Sequence, residues 1–211
     1  TSELVFALLL FINRSLIQNY FSAISGNWIR DKFTARQLYG KTLGIIGLGR
    51  LGKITAKIAN GFGMKVIGFD KNKKIKLNKV KNVSLNTLLI KSDVISLHIH
   101  LNKKNENFIN RKKISIMKDD VTLINTSRGK IINEKDLLYY LKLRKKFKAG
   151  LDVIDGEWLS KKDLKQHKLI KYANKNDNLI IVPHIGGATN ESIYGARSFI
   201  INKLKNEIKN L

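Results

Sequence analysis

The chain contains no cysteine and a single proline, and it has only 16 acids against 40 lysines and arginines in 211 residues. The missing cysteine excludes a disulfide scaffold, a thiolate metal site and a cysteine nucleophile. One proline leaves no material for a proline-rich linker. Long apolar runs are also missing. The longest unbroken one, Leu4 to Ile12, is nine residues, well short of the ~20 that a bilayer-spanning helix needs. Glu3 stands where a signal peptide wants positive charge, and no small-residue cleavage site follows. With Thr rather than Met at position 1, the chain is expected to begin inside a longer or processed protein.

The shortage of acids leaves a formal net charge of +24, which points first to polyanions such as nucleic acid or an anionic membrane. The kind of positive charge points elsewhere. Lysine outnumbers arginine 32 to 8, and Lys, Ile and Asn together make 81 of the 211 residues. These three share A/T-rich codons, so drift in base composition raises them together. A surface built to read phosphate and guanine favours the planar fork of arginine. Neither a specific nucleic acid nor a membrane is therefore expected as a partner.

Short apolar runs with β-branched residues recur along the chain at Thr42–Gly47, Val66–Asp70, Val94–Ile99, Val121–Thr126, Ala149–Val153 and Leu179–Val182. Near-continuous apolar character suits strands buried on both faces of a parallel sheet. The intervening segments read as helices. Arg50–Phe62 places Leu51, Ile54, Ile58 and Phe62 on one stripe, Leu85–Ile90 is a short helix start, and Glu191–Ile208 is a long amphipathic helix. Asn133–Leu143 opens on a candidate N-cap, Asn133, with acids in its first turn. The N-terminal segment is apolar nearly all round, so it is expected to be buried against the domain and against a second copy. The alternation predicts an α/β fold: a Rossmann-type doubly wound parallel sheet with helices on both faces.

Gly47-Leu48-Gly49-Arg50-Leu51-Gly52 is a G-x-G-x-x-G between a predicted strand and a predicted helix, the context that gives this pattern its meaning. Gly47 permits a tight turn, Gly49 lets backbone approach a pyrophosphate, and Gly52 lets helix and strand pack closely. The N–H groups and positive dipole at the helix start face the anion. The next strand ends at Asp70, an acid suited to ribose hydroxyls and unsuited to a 2′-phosphate, which favours NAD over NADP. Lys71, Lys73 and Lys74 close by pull in the other direction. Three ionisable residues each follow a predicted strand, where ligands of open α/β sheets bind: Arg128, Glu157 and His184. Singly they read as a loop charge, a surface acid and a strand-end histidine; together they supply an anion clamp, a carboxylate and a proton shuttle.

The stretches Gly40–Gly52, Ser96–His98, Ile124–Gly129, Ala149–Val153 and Pro183–Thr189 run in order across nearly the whole chain. They resemble the nucleotide-binding domain of the D-isomer-specific 2-hydroxyacid dehydrogenases, the group that includes the phosphoglycerate dehydrogenases. The resemblance implies hydride transfer between NAD(H) and a 2-hydroxy or 2-keto acid. It assigns Arg128 to the substrate's carboxylate and carbonyl oxygens, His184 to general acid and base, and Glu157 to holding the imidazole. It assigns Arg50 and Leu51 to the pyrophosphate, and His98, Thr126, Ser127 and Asp152 to the nicotinamide end, with Gly186 and Gly187 as the wall beside it. No metal is implied. Trp158 and His100 stand where the family commonly has proline. His100 reads as local packing and His167 as surface.

The resemblance also implies an organisation. Residues 1–40 form a connecting and dimerising helical region, 41–185 the Rossmann core and 186–211 a returning helix, with the substrate domain largely absent from this chain. A homodimer and a cytoplasmic setting go with it. An NAD(H)-sensing corepressor-like protein on the same scaffold is the alternative of a different class.

Overall fold

The computed structural model describes residues 1–32, 35–72 and 77–209; Lys73 and Lys74 lie outside them. Seven strands, all parallel, form one sheet in the order β3-β2-β1-β4-β5-β6-β7. They are β1 (Thr42–Ile46), β2 (Lys65–Phe69), β3 (Lys81–Asn82), β4 (Val94–Leu97), β5 (Thr122–Asn125), β6 (Lys148–Leu151) and β7 (Leu179–Ile181). Six of these fall inside or beside the six expected runs. The seventh, β3, was not expected: it is a two-residue exposed edge strand with no apolar run to announce it. Strand order reverses direction between β1 and β4, so a crevice opens there beyond the carboxyl ends of the strands.

The helices are α1 (Ser2–Asn13), α2 (Leu16–Ile24), α3 (Arg50–Gly61), α4 (Leu85–Lys91), α5 (Arg111–Ser115), α6 (Glu134–Leu143), α7 (Lys161–Gln166), α8 (Lys168–Ala173) and α9 (Asn190–Lys209). Two apolar clusters cover the two faces of the sheet. One joins Val5, Leu8 and Leu9 of α1 and Ala56 and Ala59 of α3 to Leu43, Ile45 and Ile124. The other joins Leu88 and Leu89 of α4 and Leu137 and Leu141 of α6 to Ile46, Ile95, Leu97 and Leu123. Inward alternation along each strand sends successive side chains to opposite clusters. Asn133 caps α6 as expected, its side chain accepting from Asp136 N–H.

Two expectations about helices need correction. The buried face of α3 is Gly52, Thr55, Ala56 and Ala59, whereas Ile54 and Phe62 are 46% and 37% exposed. Small residues win because α3 presses close to the sheet: a Cβ on Gly52 would stand 2.1 Å from the Gly47 carbonyl oxygen. The N-terminal segment is not one helix. It breaks at Ser15, in the left-handed region at φ 46°, and the two halves meet at 61°. α1 is buried, but Leu16, Ile17, Tyr20, Phe21 and Ile24 of α2 are 43–62% exposed. Among the described residues no single helix is long and apolar enough to cross a membrane.

Candidate active site

The β1–α3 turn forms one wall of the crevice, and the fold requires two of its three glycines. Gly47 has φ +97°, and a Cβ there would lie 2.4 Å from the His98 carbonyl oxygen. Gly52 is held by its contact with the turn. Gly49 meets no heavy atom within 4 Å where a Cβ would point, so the protein itself does not demand a glycine there. Gly49 caps α3 without a side-chain hydrogen bond, and no acid occupies the first turn. The first N–H groups of a helix have no intrahelical acceptor; here they are left for an anion. Arg50 and Leu51 line the same space.

Asp70 ends β2 and also lines the crevice. Its Oδ2 accepts the Leu48 N–H at 2.7 Å and its Oδ1 the Asn72 N–H at 2.8 Å. The carboxylate thus steadies the glycine turn as well as presenting its remaining lone pairs to the crevice. Behind the turn, Ser96 Oγ and His98 Nε2 are 2.9 Å apart. Burial, with a contribution from the positive Thr1 amino group, pushes the His98 imidazole down to about 4.

The loop after β5 is built by Asn125, which accepts the Ser127 N–H at 3.0 Å and donates to the Arg128 carbonyl at 2.9 Å. Ser127 Oγ donates to Leu97 O at 2.6 Å, tying this loop to the end of β4. Arg128 is exposed and donates from Nη1 to Ser127 O at 2.6 Å. The rest of its guanidinium is open to the crevice it lines. Thr126 Oγ1 is buried there without a hydrogen-bond partner.

The loops after β6 and β7 carry the other two ionisable residues. His184 Nδ1 stands 2.9 Å from Glu157 Oε1, with side chains 34% and 18% exposed. His184 itself sits in the left-handed region at φ 53°, a conformation that persists only when the surroundings impose it. They do so through Asp152: its backbone carbonyl accepts the His184 N–H at 2.8 Å, and its carboxylate accepts those of Ile185 and Gly186 at 2.7 and 2.9 Å. Asp152 is 1% exposed, so its carboxylate chiefly holds the histidine turn. Thr1 Oγ1 donates to Gly186 O at 2.8 Å and Ser2 Oγ to Leu51 O at 3.1 Å, so the start of α1 bridges the two sides of the crevice.

The structure therefore brings Gly47, Gly49, Arg50, Leu51, Asp70, His98, Thr126, Ser127, Arg128, Asp152, His184, Gly186 and Gly187 around one cavity of about 890 Å³. Gly52 stands behind the turn. Glu157 lines an adjoining cavity that His184 and Asp152 share. Sequence reasoning missed the wall formed by Ile99, Leu101, Asn102, Asn105 and Phe108. It also read His100 as packing, whereas His100 lines the crevice. The only signal for this wall was its place directly after β4. His167 is not a surface residue: its side chain is 12% exposed and lies 3.2 Å from Glu134. Among the described residues no cluster of three metal-ligating side chains occurs.

Residues 6–186 match the family described as D-isomer specific 2-hydroxyacid dehydrogenase, NAD binding domain. The chain belongs to this family. The dinucleotide fits the residues present, because Gly49 opens onto free space beside an uncapped helix start and Thr126 Oγ1 waits unpartnered in the same crevice. The chain is 36% identical to a glyoxylate reductase of Thermococcus litoralis over 97% of its own length and 62% of that protein's. It is 36% identical to a hydroxypyruvate reductase of Thermotoga maritima, over 98% of its own length and 66% of that protein's. A D-lactate dehydrogenase from Aquifex aeolicus, solved with NAD and lactic acid, matches with a TM-score of 0.88 at 34% identity, over 99% of this chain and 66% of that one. The chain thus spans about two thirds of the length of these relatives.

Proposed function

We propose that this NAD-binding domain serves an NAD-dependent oxidoreductase that interconverts a 2-keto acid and the 2-hydroxy acid. The observation that carries the reading is the 2.9 Å contact between His184 Nδ1 and Glu157 Oε1, next to the crevice that Arg128 and the glycine turn share. With Nδ1–H donating to the carboxylate, Nε2 is the nitrogen free to exchange a proton with substrate. In reduction His184 gives that proton to the keto oxygen; in oxidation it removes the proton from the hydroxyl. Glu157 fixes the imidazole's orientation and offsets its positive charge. Arg128 pairs its open guanidinium with the substrate carboxylate, setting the keto carbon in place.

The N–H groups after Gly49 and the turn Gly47–Gly52 would hold the pyrophosphate and Asp70 the ribose hydroxyls. Thr126, Ser127, Asp152, His98, Gly186 and Gly187 would surround the nicotinamide end. When bound, NAD(H) supplies or accepts the hydride. The division into a connecting region 1–40, a core 41–185 and a returning helix 186–211 belongs to the same reading. So do a homodimer, supported by the exposed apolar residues of α2, and a cytoplasmic setting. The test is a panel of 2-keto acids and carboxylate-free ketones offered with NADH to the full-length enzyme. At least one 2-keto acid should consume NADH, and Arg128→Ala should raise its KM. Equal turnover of ketones without a carboxylate overturns the proposal.

A further inference from the structure

Glu157 reaches His184 from a turn that the Leu159 N–H closes by donating to the Gly156 carbonyl at 3.0 Å. Its Oε2 is buried with no hydrogen-bond partner. The next residue, Trp158, is 87% exposed, and Leu159 is 51% exposed. The residue before it, Gly156, has φ +79°, in a region where glycine moves freely. The placement of that turn beside His184 depends on the backbone that precedes Gly156.

That backbone is held at the two consecutive peptide groups that flank the Asp155 Cα. Gly129, next to Arg128, lies so close that an added Cβ would stand 2.1 Å from the Ile154 carbonyl carbon and 2.4 Å from Asp155 N. Glu134, the first residue of α6, accepts the Asp155 N–H through Oε1 at 2.7 Å. His167, between α7 and α8, places Nε2 3.0 Å from the Asp155 carbonyl oxygen and 3.2 Å from Glu134 Oε2. A carbonyl oxygen only accepts, so Nε2 carries a proton and shares it between the two oxygens. Both side chains are mostly buried, at 12% and 19% exposure. His167 Nδ1 is buried without a partner, so the ring is committed to this one contact.

We propose that His167 and Glu134 are positioning residues that lock the backbone on both sides of the Asp155 Cα and so hold the Glu157 carboxylate within reach of His184. The proposal rests on reading Glu157 and His184 as the proton relay. Neither residue lines the crevice. Both act through the chain path Asp155-Gly156-Glu157, and Gly129 links the Ile154–Asp155 peptide to the loop that carries Arg128. A displacement of about 1 Å in a catalytic group costs up to about a hundredfold in rate, so the clamp should be visible in turnover rather than in affinity.

The test is a set of variants of the full-length enzyme, assayed with NADH and its best 2-keto acid, with thermal unfolding measured beside. His167→Ala should lower kcat by about tenfold or more, with KM for the keto acid and the affinity for NADH within about twofold of wild type. His167→Gln, whose amide can still donate to the Asp155 carbonyl, should recover most of that loss. In a Glu157→Gln background His167→Ala should add less than about twofold, because the carboxylate it positions is gone. The downfield imidazole N–H resonance of the His184 pair should weaken in His167→Ala and return in His167→Gln. An equal loss from His167→Ala in both backgrounds, or a loss that follows unfolding temperature and is not recovered by glutamine, overturns the clamp. If Glu157→Gln alone leaves kcat unchanged, it is the relay reading that fails, and the clamp with it.

Discussion

The two sides of the crevice are built by opposite means. The turn after β1 is made by leaving atoms out. Gly47 and Gly52 must lack side chains because backbone occupies the space, and Gly49 lacks one where only solvent is met. The loops after β6 and β7 are made by putting side chains in. Asp152 gathers the N–H groups of Ile185 and Gly186, and Glu134 and His167 grip the N–H and the carbonyl of Asp155. A phosphate cradle needs exposed N–H groups and room; a proton relay needs two side chains fixed to within an ångström, which hydrogen-bonded carboxylates provide.

Four changes sharpen that contrast, and the largest effect is expected at Gly52. Gly52→Ala drives a methyl into the Gly47 carbonyl and should cost about 3 kcal/mol or more of stability in a denaturant titration. Asp152→Ala orphans two backbone N–H groups; it should cost about 2 kcal/mol and lower kcat as the His184 turn relaxes. Gly49→Ala should leave stability within about 0.5 kcal/mol, because its Cβ meets no protein atom. Its NADH affinity should nevertheless fall about tenfold, or about 1.4 kcal/mol. If both glycine variants lose stability alike, the assignment of Gly49 to the ligand is wrong.

The smallest effect concerns pH. His98 is held near 4 in the folded chain against an ordinary value of 6.5. Between those values the unfolded chain binds the extra proton, so stability rises with pH across the window and declines as pH falls from about 6.5 toward about 4. Chemical denaturation at several pH values should show that slope, and His98→Gln should flatten it. An unchanged slope would place the acid sensitivity elsewhere; Glu134, whose carboxyl burial pushes up, acts in the opposite sense.

The contrast also explains what was legible in the sequence. The glycine turn and the strands could be read directly, because glycine spacing and apolar runs are local signals. Arg128, Glu157 and His184 were legible as strand-end residues, and the resemblance supplied their roles. The supports of the second side were not, because their partners lie far apart in the chain: 34 residues separate Asp152 from Gly186 and 12 separate Asp155 from His167. His167 looked like a surface histidine within a lysine-rich stretch, and only the fold turns it inward. The α3 stripe was misread for a related reason. Periodicity favours large residues, whereas close packing at Gly52 selects Thr55, Ala56 and Ala59.

The net charge of +24 carries none of this geometry. The positive groups that line the crevice among the described residues include the start of α3 and the side chains of Arg50, Lys71 and Arg128; lysines elsewhere on the surface serve at most to draw in anionic ligands over distance.

The proposed role of His184 as the proton donor is open to direct measurement. Single-turnover oxidation of bound NADH by a 2-keto acid, followed in full-length wild type and His184→Ala, measures it. The expected result is a rate lowered by about a hundredfold to ten-thousandfold, with NADH affinity unchanged. A variant that turns over within about twofold of wild type would contradict the account, because a lost general acid cannot cost so little.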